Sequence, residues 1–484
     1  MREGLLMNIL FATSECSPFV ASGGLGDVAG SLPKALNRRK GIDCRVILPL
    51  YSDIALEYRK KMHFECHFDV PVAWRSQYCG VWTLKKDGTL YYFLDNEYYF
   101  KRSGLYGYYD DAERYAFFSR AVLEALYYID FCPDIIHAND WQTALIDVFI
   151  NRFGYRQDPK FYGIKTLFTI HNIQYQGKYG LEILGDVLGI ASRDASTVEY
   201  GGCVNFMKGA IECADRVNTV SPTYAQEILD PWFSHGLDSI LHDKQYKLRG
   251  ILNSIDTDSY NPETDPQIAA HYSADDLTGK AACKAELLAH FGLPAEEGRG
   301  TPVICIVSRL VAHKGIDLVK YVLEYILLNG MRMVVLGSGD PMYENCFGDF
   351  ARRYPEGCAF HVGFDAALAR KIYAGSDMLL MPSKSEPCGL AQMIALRYGT
   401  LPIVRITGGL KDTITDCGDG KGNGFTFRSY NAHDMLDACL RAKAVYENPE
   451  EWGALVRRAL GCDFGWGKAA GQYIALYKEM QELW

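Results

Sequence analysis

The sequence has no CxxC spacing and no array of cysteine and histidine spaced like metal ligands, although it carries 15 cysteines. An odd number of scattered thiols fits reduced, buried cysteines in a cytoplasmic protein and not a disulfide framework or a metal site. No apolar run is long enough to span a bilayer. Basic excess is also missing. The formal net charge is -9, which disfavours nucleic acid or an anionic membrane as partner but leaves room for a small anion held by a local cation cluster. Neither the glycine spacing of a dinucleotide fingerprint nor the Lys-Ser/Thr of a P-loop occurs. What remains is ordinary globular composition, 48% hydrophobic and 23% charged over 484 residues. That length exceeds one core and predicts two large domains. A short apolar stretch after Arg2 has the look of a leader, but Glu15 interrupts it. The first strand is expected to start at Met7, with residues 1–6 as an extension.

Apolar runs of strand length alternate with helical segments. In the first half they fall at 8–13, 44–48, 134–137, 166–171 and 216–220. In the second half they fall at 303–307, 333–337, 359–362, 378–381 and 402–404. A hairpin is expected where 81–84 and 90–94 flank Lys86-Asp87-Gly88. Continuous apolar strands separated by helices imply parallel sheets covered on both faces. The polar, turn-rich stretch 253–263 marks a boundary. The expected fold is α/β, with two doubly wound Rossmann-like domains and a cleft between them, and ligands belong beyond the carboxyl ends of the strands.

Residues that can carry chemistry do follow strands. Ser22-Gly23-Gly24-Leu25-Gly26-Asp27 opens a helical pattern that includes Pro33, expected to kink it. Glycines there permit positive φ and close approach, and the helix start offers unpaired N–H groups. A structural turn and a phosphate cradle both fit. Thr407-Gly408-Gly409-Leu410 repeats the pattern after a strand in the second half. Two such turns favour phosphate binding. Arg309 and Lys314 follow the strand 303–307 and suit a pyrophosphate, one as a planar fork and the other as a point charge. Two solvated surface cations are the competing explanation. In Pro382-Ser383-Lys384-Ser385-Glu386-Pro387-Cys388-Gly389-Leu390, prolines stiffen a loop whose Glu386 can accept from sugar hydroxyls while neighbouring N–H groups donate. A capping glutamate explains the carboxylate but not the Pro-Cys-Gly context. Two polar clusters, His137 to Trp141 and His171 to Gly177, close strands of the first half with groups that suit a sugar's hydroxyl edge and C–H face.

These pieces, SECSPFVASGGLGDVAGSLPKAL, HANDWQTAL, FTIHNIQYQG, SRLVAHKGID, LGSGDP, PSKSEPCGLAQ and VRITGGLKDT, resemble bacterial glycogen synthases and plant starch synthases from Met7 to Trp484. The resemblance implies a GT-B fold with domains at 1–255 and 256–465 and a segment 466–484 that crosses back to the first. It implies retaining transfer of glucose from ADP-glucose to the non-reducing 4-hydroxyl of an α-1,4-glucan such as glycogen, releasing ADP, without metal or other cofactor. By the same resemblance Glu386, His171, Arg309 and Lys314 are catalytic. Ser22, Gly23, Gly24, Asp27, Phe364, Cys388, Gly389, Leu390, Thr407, Gly408 and Gly409 bind the donor, with Phe364 stacking on adenine. Asp140, Trp141, Asn172, Tyr175, Gln176 and Asn205 line the sugar and acceptor side. Three departures stand out. Ala21-Ser22 replaces the family's frequent Lys-Thr before Gly-Gly-Leu, Asn139 replaces a common histidine, and Ile394 takes the second position of the Glu-x7-Glu pattern of other GT-B enzymes. A UDP-glucose transferase and a non-catalytic glucan-binding relative are the alternatives.

Overall fold

The computed structural model describes residues 6–295 and 300–483. Most of the expected N-terminal extension, residues 1–5, and the terminal Trp484 lie outside the described residues. Two compact units emerge. One takes the described residues up to Asn253 together with those from Trp466 onward, and the other is Ser254–Gly465.

The N-terminal unit carries β1 (Met7–Ala12), β2 (Ile42–Pro49), β3 (His63–Val72), β4 (Arg75–Lys86), β5 (Thr89–Asp95), β6 (Ile135–Asn139), β7 (Lys165–Ile170), β8 (Lys178–Tyr179), β9 (Glu199–Tyr200), β10 (Cys203–Asn205), β11 (Arg216–Thr219) and β12 (Leu248–Gly250). Nine of these form one sheet in the order β12-β11-β7-β6-β1-β2-β5-β4-β3. From β12 to β5 every neighbour is parallel, while β4 and β3 add an antiparallel edge. The central strand explains why: Ile9, Leu10, Phe11 and Ala12 are all fully buried, so both faces of the sheet need cover. The β4–β5 hairpin closes through Lys86 opposite Thr89, with Asp87 at φ +50 and Gly88 at φ +81. Both turn residues are left-handed, as the twist of a two-residue hairpin requires. The terminal helix Trp466–Gln481 packs onto this unit. Tyr473 OH accepts from the Asn218 side-chain amide, Tyr477 meets His137, and Glu479 pairs with Arg216 and Arg249.

The C-terminal unit carries β13 (Val303–Val307), β14 (Arg332–Gly337), β15 (Cys358–Val362), β16 (Met378–Met381), β17 (Leu401–Arg405) and β18 (Phe425–Phe427). All run parallel in the order β15-β14-β13-β16-β17-β18. The direction of winding reverses between β13 and β16. In the N-terminal unit it reverses between β1 and β6. Ligand sites of doubly wound sheets form at such points, beyond the carboxyl ends of the strands.

Strands without an apolar run escaped the sequence pattern. β3 alternates exposed and buried positions, and β12, β18 and the small sheet β8-β10-β9 are only two or three residues long. Pro33 lies inside a helix that continues from Gly24 to Asn37. Among the described residues no helix is long and apolar enough to cross a membrane, and all 15 cysteines are free.

Candidate active site

In the C-terminal unit the reversal point holds an ion pair. Lys314 closes the short turn Ala312–Lys314 after β13, and its Nζ donates to Glu386 Oε2 at 2.6 Å. The side chains are 19% and 6% exposed. Ser383 Oγ donates to the same oxygen at 2.9 Å. A carboxylate this buried is sustained by its cation and its donors. Backbone geometry brings the two loops together. Gly315 has φ +75, and a Cβ there would lie 2.1 Å from the Pro382 carbonyl oxygen. The Lys384 N–H then donates to the His313 carbonyl at 2.8 Å. Arg309 leaves the same strand end and is exposed.

The second Gly-Gly-Leu turn packs directly behind this loop. Gly408 sits at φ +45, and a Cβ on it would lie 1.9 Å from the Glu386 carbonyl oxygen. A Cβ on Gly409 would lie 2.3 Å from the Cys388 carbonyl oxygen. The Gly409 N–H donates to the Glu386 and Pro387 carbonyls at 3.2 and 3.3 Å. It is therefore spent inside the protein and does not serve the anion cradle expected of it. Thr407 is buried at the N-cap of Gly408–Thr413. Cys388 is buried, and Gly389 at φ +74 and Leu390 lead into the helix Ala391–Arg397. The Gln392 amide ties this turn down by donating to the carbonyls of Cys388 and Gly389 at 3.0 and 2.9 Å. Phe364 is 86% exposed, so its ring is no part of the core.

In the N-terminal unit the glycine turn already holds an anion, and that anion is Glu15. Its carboxylate is buried and accepts from the N–H groups of Ser22 and Gly23, from Ser22 Oγ and from Tyr106 OH. Ser22 and Gly23 therefore do not offer their N–H groups to a diphosphate in this state. Gly23 is extended, at φ -169, and none of Gly23, Gly24 and Gly26 is left-handed, contrary to expectation. Gly26 is needed for packing instead: a Cβ there would lie 2.4 Å from Ala21 Cβ. Asp27 is exposed and accepts from Ser17 Oγ at 3.3 Å.

Across the reversal point, Asp140 follows β6 at φ +58, a left-handed conformation that aspartate and asparagine adopt more readily than most residues. Its Oδ1 accepts from the backbone N–H of His171 at 2.7 Å and of Asn172 at 3.4 Å. Burial pushes this carboxyl up to about 7, against the two N–H donors that lower it, with the Glu15 charge adding to the rise. His171 is buried and held down to about 3 by that burial, so its ring is neutral. Asn139 spends its amide N–H groups on the carbonyls of Ala12 and His137 and turns Oδ1 to His171 Nε2 at 2.9 Å. His171 thus carries its proton on Nε2 and leaves Nδ1 as an acceptor.

Three expectations on this side need correction. β6 ends at Asn139, so His137 is interior to the strand and fastened to Thr169 and Tyr477. Gln176 and Asn205 are buried and bonded to each other at 2.7 Å, with Asn205 capping the helix Phe206–Cys213 and Gln176 donating to the Ile173 and His235 carbonyls. Their polar groups serve the fold. Trp141 is buried against Tyr115, 5.1 Å between ring centroids, and is no open sugar platform. Asn172 accepts from Gln174 N–H in a local turn, and Tyr175 is 44% exposed.

Comparison with known proteins gives the family. The family profile of the starch synthase catalytic domain matches residues 8–243, and that of glycosyl transferases group 1 matches residues 294–458. The chain is 49% identical over 478 residues to a glycogen synthase of Geobacillus thermodenitrificans, covering 98% of each. It is 50% identical over 477 residues to one of Clostridium acetobutylicum, covering 97% of this chain and 99% of that one. The chain belongs to the glycogen and starch synthase family. It is a glycosyltransferase of GT-B fold. The catalytic domain of starch synthase IV from Arabidopsis thaliana, solved bound to ADP and acarbose, superposes with a TM-score of 0.91 at 35% identity, covering 99% of this chain and 100% of that one. Sucrose-phosphate synthase from Thermosynechococcus elongatus shares the fold at a TM-score of 0.60 and 17% identity.

Two residues that organise these loops were missed from the sequence. Arg405 is the last residue of β17 and Glu15 lies three residues beyond the end of β1, in the region past strand ends where Arg309 and Asp140 were sought. Arg405 ends β17 and donates to the carbonyls of the Glu386 loop. The rule that found their neighbours applies equally to them.

Proposed function

We propose that the enzyme transfers glucose from ADP-glucose to the non-reducing 4-hydroxyl of an α-1,4-glucan such as glycogen, with retention, releasing ADP. The single observation carrying this proposal is the Lys314–Glu386 pair at the reversal point of β13 and β16, with Arg309 on the same strand end. The starch synthase that carries ADP and acarbose supports both ligand classes.

Arg309 and Lys314 are assigned to the donor diphosphate. Breaking the bond from the sugar's anomeric carbon to phosphate oxygen leaves negative charge on ADP and an oxocarbenium-like sugar. Fixed cations stabilise that state more than the ground state. The acceptor 4-hydroxyl attacks the anomeric carbon from the face the phosphate leaves, and its proton passes to the departing phosphate oxygen. Glu386 anchors Lys314 through Oε2; among the described residues its Oε1 takes no hydrogen bond, and it is assigned to sugar hydroxyls. His171 is assigned to the sugar, with Nδ1 as acceptor for the glucose 6-hydroxyl and its carbonyl as support for the developing positive charge. Phe364 stacks on adenine. Asp140 and Tyr175 are assigned to the acceptor side. These steps are assigned no metal, which the EDTA comparison below checks.

The test is ADP or UDP release from ADP-glucose or UDP-glucose with glycogen present. Faster release from ADP-glucose, unchanged by EDTA, supports the assignment. Faster turnover of UDP-glucose reassigns the donor, and folded protein releasing neither diphosphate rejects the transferase step. Ala21→Lys adds a separate check: if only the lysine form turns over, the natural glycine turn is incompetent.

A further inference from the structure

We propose that Arg405 is a positioning residue that holds the Lys314–Glu386 pair in register by clamping the backbone between them. This rests on the assignment of that pair to the donor. Arg405 ends β17, next to β16 in the sheet. Its Nε donates to the Ser383 carbonyl at 2.8 Å and its Nη2 to the Lys384 carbonyl at 2.6 Å. A planar fork gripping two successive carbonyls fixes both peptide planes, which a single ammonium cannot do.

The first of these peptides joins the two residues that make the site's contacts. Ser383 Oγ then reaches Glu386 Oε2 at 2.9 Å, and the Lys384 N–H reaches the His313 carbonyl, one residue before Lys314. Tyr430 ties the same two loops from the other side. Its hydroxyl donates to Asp317 Oδ1 at 2.5 Å, in the first turn of the helix Ile316–Leu328 that follows Lys314. Its ring centroid lies 5.9 Å from both the Arg405 guanidinium and Lys384 Nζ, within reach of cation–π attraction. Arg405 therefore acts through carbonyls and not as a further cation for the diphosphate.

Arg405→Lys and Arg405→Met test this with initial rates, varying ADP-glucose at fixed glycogen, and with hydrogen exchange of the segment 382–386. The expected result is a fall of about a hundredfold in kcat for both variants, the scale of a misplaced catalytic group, with donor KM changed less than about threefold and faster exchange confined to that segment. The inference is overturned if Arg405→Lys keeps more than half of kcat, if the loss lies in donor KM alone, or if exchange is unchanged. Should neither variant fold, Tyr430→Phe decides: kcat lowered a few-fold at constant donor KM supports the tie, and wild-type kinetics overturn it. A wild-type protein that turns over no donor sinks the proposed reaction, while the exchange measurement still reports on Arg405.

Discussion

The two Gly-Gly-Leu turns share a tripeptide and a place after a parallel strand, yet their glycines meet different constraints. At Gly23 the backbone is extended and nothing lies within 4 Å of the position a Cβ would take. At Gly408 and Gly409 a Cβ would strike the carbonyl oxygens of Glu386 and Cys388 at 1.9 and 2.3 Å. The first turn is folded around a side chain, Glu15, whose carboxylate takes its N–H groups. The second is folded against the backbone of the loop that carries Glu386. The lesson is that a glycine turn opening a helix identifies neither its anion nor the reason for its glycines. Both depend on what the rest of the sheet delivers to that point.

Substitutions can break this contrast, beginning with the second turn. Gly409→Ala must push the Cys388 backbone away, and with it the Glu386 loop. Turnover should drop by at least about a hundredfold, measured as ADP release by protein that still shows native circular dichroism. Glu15→Ala comes next. It strips the acceptor from Ser22 N–H, Gly23 N–H and Tyr106 OH, and stability should fall by about 1–3 kcal/mol in urea titration. A fall below about 0.5 kcal/mol would mean that Glu15 does not organise the turn.

Asp140→Asn sharpens the electrostatic side. The Asp140 carboxyl is raised to about 7 by burial, above its value in an unfolded chain. Its favourable contribution is therefore complete at low pH and is lost as pH rises through about 7. The asparagine form, which cannot ionise and tolerates positive φ, should gain stability relative to wild type between pH values of about 5 and 8, followed by paired thermal melts. A constant difference across that range would show that Asp140 ionises normally. The smallest effect belongs to Gly23→Ala, expected to change stability by less than about 0.5 kcal/mol and donor turnover by less than about twofold. A large loss there would restore the close-approach role that the extended backbone denies it.

Much of the fold was legible because buried parallel strands are continuous apolar runs. The runs at 303–307 and 378–381 coincide with β13 and β16. The hairpin at Asp87-Gly88 was legible because few residues accept φ above zero. β3 was not, since an edge strand half open to solvent carries no apolar run. At the site, Lys314 and Glu386 could be named as neighbours of strand ends, but their contact could not, because 72 residues separate them along the chain. Phe364 shows the reverse: the stacking role implied by the resemblance needs an open ring, and only the tertiary structure shows that the ring is 86% exposed.

Sequence pattern by itself determined the alternation of strands and helices, the hairpin turn and the set of polar residues gathered at the strand ends. These follow from local physics: burial on both faces, backbone torsion and helix initiation. Tertiary structure alone decided how those polar groups are spent. It gave His137 to the terminal helix and His171 to Asn139, paired Gln176 with Asn205, set Arg405 on the Glu386 loop, and filled the first glycine turn with Glu15. A hydrogen-bonding group takes the partner that folding brings within about 3 Å, and that partner is fixed by the packing of distant strands, which no local pattern encodes.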